Sequence, residues 1–328
     1  MSRRRSTILV SIVLAAALAI GCGDDGGSAA RGEKALTAVA TTTQVADFAR
    51  EVGGDRVDVR QILQPNSDPH GYEPRPSDVA SVTEADVVMR SGGDLDAWLD
   101  GLLDNAGADV PQVELIQAVE RRDGGHAGEG SHDHVGEEEH DHGDSADPHW
   151  WQDPRNAIAA VAAIRDALAA ADPDGRAEYE RNAAAYIRQL RRLDRAVAAC
   201  IDEVPAPQRK LVTTHDALGY YADRYGIEVV GALIPSQSTA AQPSAGDIEE
   251  LVDQIEREQV EAIFPESSID PRLERAVSRE TGATVGKALW ADTLGGEGSG
   301  GATYVESIRS NTAALVEGLT GGAQRCRP

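Results

Sequence analysis

The chain has 328 residues, with 55 acidic against 31 basic side chains and a formal net charge of −24. Such a surface repels nucleic acid and either concentrates divalent cations or serves solubility alone. Aromatic residues make up only 4% of the chain, which argues against a carbohydrate or aromatic-ligand platform, while the length suffices for two lobes with cores of their own.

Residues 1–21 read as an export signal. Arg3, Arg4 and Arg5 precede an apolar run, Ile8–Ile20, that is too short for an ordinary membrane span. Ala19-Ile20-Gly21-Cys22 resembles a bacterial lipobox, with Ala19 where leucine is usual. The expectation is cleavage before Cys22 and lipid on that cysteine, which anchors the exported protein at the outer face of the cell membrane; an uncleaved anchor is the alternative. Residues 22–35, rich in Gly, Asp and Ser, read as a flexible tether.

From residue 36 strands and helices alternate. Strands are predicted at 36–41, 57–62, 86–90 and 113–115, with helices near 43–52, 77–84 and 94–105. A helix starts at Pro154 and carries Ile158, Val161, Ile164 and Leu168 at helical spacing. In 173–204 the residues Tyr179, Ala183, Tyr186, Leu190, Leu193, Val197, Cys200 and Val204 recur in steps of four and three, one apolar stripe on a long helix. A coiled-coil dimer competes with a strut inside one chain, and the monomer is preferred because the repeat is short. Further strands at 210–214, 228–230, 262–264 and 283–289 alternate with helices near 216–225, 244–258, 271–281 and 303–320. The pattern predicts an α/β protein of two lobes, 36–172 and 205–328. Each is a mainly parallel four-stranded sheet flanked by helices, and the rigid helix 173–204 joins them.

Five of the eight histidines crowd the segment 121–147, and the other three, His70, His149 and His215, stand alone near predicted strand ends. His70 lies in Asp68-Pro69-His70-Gly71-Tyr72-Glu73-Pro74, and His149 in Asp147-Pro148-His149-Trp150-Trp151 ahead of a helix. His215 follows Leu211-Val212-Thr213-Thr214, and Asp292 follows the last strand in Trp290-Ala291-Asp292. All four fall on the strand-to-helix side, the edge where open α/β sheets bind ligands. Singly each has an ordinary reading as a cap, a turn former or a loop histidine. Together, three imidazoles and a carboxylate drawn from both halves suit a tetrahedral zinc site in a cleft.

These stretches resemble the zinc/manganese solute-binding lipoproteins of bacterial ABC importers, the cluster A-I group. The match runs through QPNSDPHGYEPRPSD at 64–78, DPHWWQDP at 147–154, LVTTHDALGYYADRYG at 211–226, FPESSIDPRLE at 264–274 and ALWADTLG at 288–295. The resemblance implies capture of Zn2+ between the lobes and delivery to a permease with its ATPase, with no chemistry performed. It carries the ligand set onto His70, His149, His215 and Asp292. A histidine at 215, where manganese carriers often have a carboxylate, favours zinc, with Mn2+ as the alternative cargo. Asp292 ligates directly or yields to water or to Glu73. Glu266 either supports the site or caps the next helix.

The segment 121–147 holds His126, His132, His134, His140 and His142 among acids, and reads either as a weak, fast-exchanging metal-loading loop or as an inert linker. Cys200 and Cys326 pair in an oxidising compartment, a bond worth about 4 to 5 kcal/mol by chain entropy, or remain separate thiols. Two other classes compete. A zinc hydrolase would need an open coordination position and a general base, and His-Glu-x-x-His is absent. A cell-adhesion protein or metal buffer would need no transporter.

Overall fold

The computed structural model describes residues 35–123 and 146–328. The first sheet is built from β1 (Leu36–Ala40), β2 (Val57–Gln61), β3 (Val87–Arg90) and β4 (Gln112–Glu114), all parallel in the order β2-β1-β3-β4. Its crossovers are α1 (Thr43–Gly53), α2 (Pro76–Thr83) and α3 (Trp98–Ala106). After α4 (Pro154–Ala171) and α5 (Arg176–Asp202) the same topology repeats. β5 (Lys210–His215), β6 (Glu228–Ile234), β7 (Ala262–Phe264) and β8 (Thr284–Val285) run in the order β6-β5-β7-β8, again parallel. The crossovers here are α6 (Gly219–Tyr225), α7 (Ala245–Glu258) and α8 (Arg272–Thr281), and α9 (Tyr304–Leu319) closes the fold.

Local chemistry sets the helix ends. Thr42 caps α1 by accepting the Val45 N–H at 3.3 Å, and the helix stops at Gly54, whose φ of 54° suits a residue without Cβ. Asp153 caps α4 ahead of Pro154. The expected helix from 94 begins instead at Trp98, because Gly92, Gly93 and Asp94 all have positive φ and no right-handed helix runs through them. The long helix begins at Arg176, not at 173. Asp172 caps a separate 3-10 turn at Pro173–Gly175 and is held by Arg56 at 2.9 Å and by the Tyr179 hydroxyl at 2.7 Å.

Helix α5 spans 27 residues and buries Tyr179, Ala183, Tyr186, Leu190, Leu193, Val197 and Cys200 against α1, α4, α6 and α9. The stripe is therefore filled from within the chain, which removes the coiled-coil alternative. Its residues belong to one continuous apolar core that takes in Ala38 and Met89 of the first sheet and Leu211 and Phe264 of the second. Smaller clusters cover the outer faces, Val39, Val88 and Leu99 in one lobe and Val212, Leu233 and Ile263 in the other. Cys200 on α5 is disulfide-bonded to Cys326, with Cα atoms 5.7 Å apart, so the C-terminal tail is stapled to the strut.

The second sheet departs from expectation at two strands. β6 continues to Ile234, with a register shift opposite Leu211 and Val212, because Gly231 lets the strand pass beneath Leu251. The last strand is only Thr284–Val285. Beyond Gly286 the chain touches the sheet again through a single bridge, Glu266 to Leu289, on its way to Asp292. Among the described residues no helix is long and apolar enough to cross a membrane.

Candidate metal centre

His215 is the last residue of β5, whose interior positions are all buried, so the strand delivers its ring to the carboxyl edge of the second sheet. Asp292 follows Leu289 on a segment pinned from both sides. Asn311 of α9 brackets Trp290, accepting its N–H and donating to its carbonyl at 2.8 Å each. The Ala291 carbonyl accepts the Trp151 indole N–H at 2.9 Å and the Gln152 amide at 2.8 Å from the other lobe. His70 and His149 are not at strand ends, as expected, but on turns. His70 lies well past β2, and His149 stands directly before the 3-10 turn Trp150–Gln152 that leads to α4.

The four side chains converge. Their potential ligand atoms lie within 4.8 Å of one another. The Nε2 atoms of His70, His149 and His215 are each 3.3 Å from an oxygen of Asp292, and those of His149 and His215 are 3.3 Å from each other. A tetrahedral ion with bonds of about 2.0 Å has ligand–ligand edges of about 3.3 Å. Neither Asp292 oxygen has a hydrogen-bond partner, although both are buried, and His70 Nε2 is likewise unpartnered. Buried polar atoms are rarely left so unless something else binds them.

Two of the rings are aimed by carboxylates. His149 Nδ1 meets Asp147 Oδ1 at 2.8 Å, and His215 Nδ1 meets Glu266 Oε1 at 2.5 Å. An Nδ1–H donated in this way leaves the Nε2 lone pair facing the centre and makes the ring a better donor. Glu266 thus supports His215. It does not cap α8, which begins at Arg272. Glu73 is exposed, lining an open pocket with Asp68 and Tyr72, and stands outside the cluster. Cys22 and the histidines at 126, 132, 134, 140 and 142 lie outside the described residues.

The electrostatics favour a cation. Burial opposes charge on His149, yet the Asp147 and Asp292 carboxylates push its pKa up to about 10. His215 is also raised, against burial, by Asp292 and Glu266. Asp292 is held well below the usual carboxylate range: burial works against this, and His215, His149 and His70 outweigh it. Three neutral imidazoles with one buried carboxylate would leave a negative charge uncompensated. Either protons or a metal ion can supply the balance.

Sequence reasoning missed Asp147 as the carboxylate behind His149. The signal was present, because Asp-Pro-His occurs twice, at 68–70 and 147–149, each time with the histidine two residues after an acid that can accept its N–H.

Two parallel α/β lobes about a strut, with one buried imidazole–carboxylate cluster from both, define the class of two-lobed binding proteins that enclose a small cation. Comparison with known proteins gives the family. The profile described as "Zinc-uptake complex component A periplasmic" matches residues 38–318, and the chain belongs to that family. It is 32% identical over 310 residues to the manganese-binding lipoprotein MntA of Halalkalibacterium halodurans, covering 94% of this chain and 97% of the relative. It is 33% identical over 286 residues to the zinc-binding lipoprotein AdcA of Streptococcus pneumoniae, covering 86% of this chain and 55% of that longer protein. Among solved structures, the periplasmic zinc binding protein TroA of Treponema pallidum superimposes with a TM-score of 0.75 at 27% identity, over 87% of this chain and 99% of TroA. The protein is accordingly a metal-binding solute-binding component of an ABC importer and not an enzyme, which sets the hydrolase alternative aside.

Proposed function

We propose that His70, His149, His215 and Asp292 hold one Zn2+ in the cleft, captured outside the cytoplasm and passed to the permease of an ATPase-driven importer. The observation that carries the reading is the convergence of three Nε2 atoms on a buried carboxylate whose two oxygens have no other partner. Three imidazoles and one carboxylate make a donor set of the softness zinc prefers over manganese. The same reading places lipid on Cys22 at the outer membrane face, a monomer as the working unit, lobes at 36–172 and 205–328 about the helix 173–204, and weak auxiliary sites in the histidine-rich segment.

Manganese is the second reading, and one observation favours it. Both Asp292 oxygens face histidines, His149 toward Oδ1 and His70 and His215 toward Oδ2, so a chelating carboxylate would offer five donors. Several relatives are named for manganese, MntA among them. Titration of metal-free protein with Zn2+ and Mn2+, each against a chelator of known affinity, separates the two. The zinc reading expects one tight equivalent of Zn2+ and a much weaker response to Mn2+. Tighter binding of Mn2+, or a tight zinc site that survives His215→Ala, would be incompatible with it.

A further inference from the structure

The two Asp-Pro-His turns are built alike. Asp68 Oδ1 accepts the backbone N–H of His70 at 2.9 Å, and Asp147 Oδ1 accepts that of His149 at 3.0 Å. In both, the second carboxylate oxygen leads to the other lobe. Asp68 Oδ2 accepts the Thr239 hydroxyl at 2.6 Å, on the turn after β6. Asp147 Oδ2 meets Arg122 at 3.2 Å, and Arg122 is held by Asp223 of α6 at 2.9 Å.

The two histidines nevertheless differ in how firmly they are held. The His149 ring is wholly buried, bonded through Nδ1 to Asp147 and packed edge-on against Trp151 at 5.5 Å. The His70 side chain keeps 7% of its exposure, and among the described residues no carboxylate is bonded to its Nδ1. Its placement depends on its turn. That turn is tied to the C-terminal lobe at its start, where the Asn66 N–H reaches the Leu294 carbonyl at 3.1 Å, and beside the ligand by Thr239 alone among the described hydrogen bonds.

We infer that Thr239 and Asp68 form a latch across the cleft that sets how fast the cargo leaves. Both are positioning residues, and neither belongs to the ligand cluster. A carboxylate with one oxygen in the turn and the other on a hydroxyl cannot rotate about its Cβ–Cγ bond. Without the hydroxyl it can, the His70 N–H loses its fixed acceptor, and His70 becomes the first ligand to depart. The bond holds the His70 turn in its ligand-bearing position against the second lobe, so its loss acts on dissociation more than on association. Ser236-Gln237-Ser238-Thr239, a polar loop by sequence, thereby acquires a role. The inference rests on the metal-capture reading above.

The test is zinc release from the full-length chain into excess chelator, followed by stopped flow through tryptophan emission, to which Trp151, packed on His149, contributes. Thr239→Val removes the hydroxyl and keeps the shape; a hydrogen bond to a charged acceptor is lost, and release should quicken roughly tenfold or more. The association rate should stay within about twofold and one equivalent should still bind. Thr239→Ser should restore wild-type release, and Thr239→Ala should match valine, so that a folding defect peculiar to valine cannot mimic the effect. Wild-type release rates in the valine and alanine variants would overturn the latch, as would a serine variant that releases as fast as valine. Failure of the wild-type protein to bind zinc or manganese tightly would be a different result, overturning the capture reading and the latch with it.

Discussion

Replacing Asp292 by asparagine tests the site at its centre. The side chain keeps its shape and one acceptor oxygen but loses the charge that three imidazoles surround at 3.3 Å. Removing one partner from a buried ionic cluster costs about 3 to 5 kcal/mol, so the dissociation constant for zinc should rise roughly 10²- to 10⁴-fold. A second readout follows from the protons. In the wild-type protein Asp292 helps to raise His149 to about 10 and His215 above its ordinary value, so His149 carries a proton at pH 7 that zinc must expel. Without Asp292 both histidines fall back toward neutrality and fewer protons leave. Calorimetric titration in buffers of different ionisation enthalpy measures affinity and proton release together. Affinity within threefold of wild type in a folded variant, or undiminished proton release, would refute the reasoning.

Other consequences are accessible to simpler assays. The folded-state pKa of His149 lies above its unfolded value, so its contribution to the stability of the metal-free protein is complete below about pH 6.5 and is lost as the pH rises toward about 10. Melting temperatures of the metal-free form should fall across that window, and those of the zinc-loaded form should fall less, because the ion has already displaced the proton. Replacing Cys200 and Cys326 by serine should lower the unfolding free energy by about 4 kcal/mol in urea titrations while leaving one equivalent of tight zinc, since the disulfide closes a separation of 126 residues and neither cysteine belongs to the ligand cluster. Deleting 124–145 and rejoining the chain where Asp123 bridges Ala146 should abolish weak zinc equivalents and spare the tight one, as counted by equilibrium dialysis.

Most of the architecture was legible because it rests on periodicity. The α5 stripe, the Pro154 start and the alternation of short apolar runs with amphipathic segments are local patterns, and the structure places the elements where those patterns fall. The errors arose where conformation depends on special backbone. Three consecutive positive φ angles at Gly92, Gly93 and Asp94 delay α3, and β8 stops at Val285, just ahead of Gly286, where a Cβ would meet the Phe264 ring. At the site, residue type and position along the fold were enough to nominate His70, His149, His215 and Asp292, which the structure brings together. The carboxylates that aim the rings were harder to see. Glu266 lies 51 residues from His215, and only the parallel pairing of β5 with β7 makes them neighbours. Thr239 is still less visible, 171 residues from Asp68, because nothing in a run of polar loop residues shows which hydroxyl crosses the cleft.

The apolar interior runs without a break from one sheet, through the strut, to the other. Swinging the halves apart would wet that surface at about 25 cal/mol for each Å² uncovered, an expense that grows with amplitude. Unloading must therefore proceed by rearrangement of side chains and turns at the rim, with the scaffold nearly still. Filled and empty molecules should then scatter X-rays in solution with almost the same radius of gyration, and the membrane partner would have to distinguish them by the shape of a few surface loops.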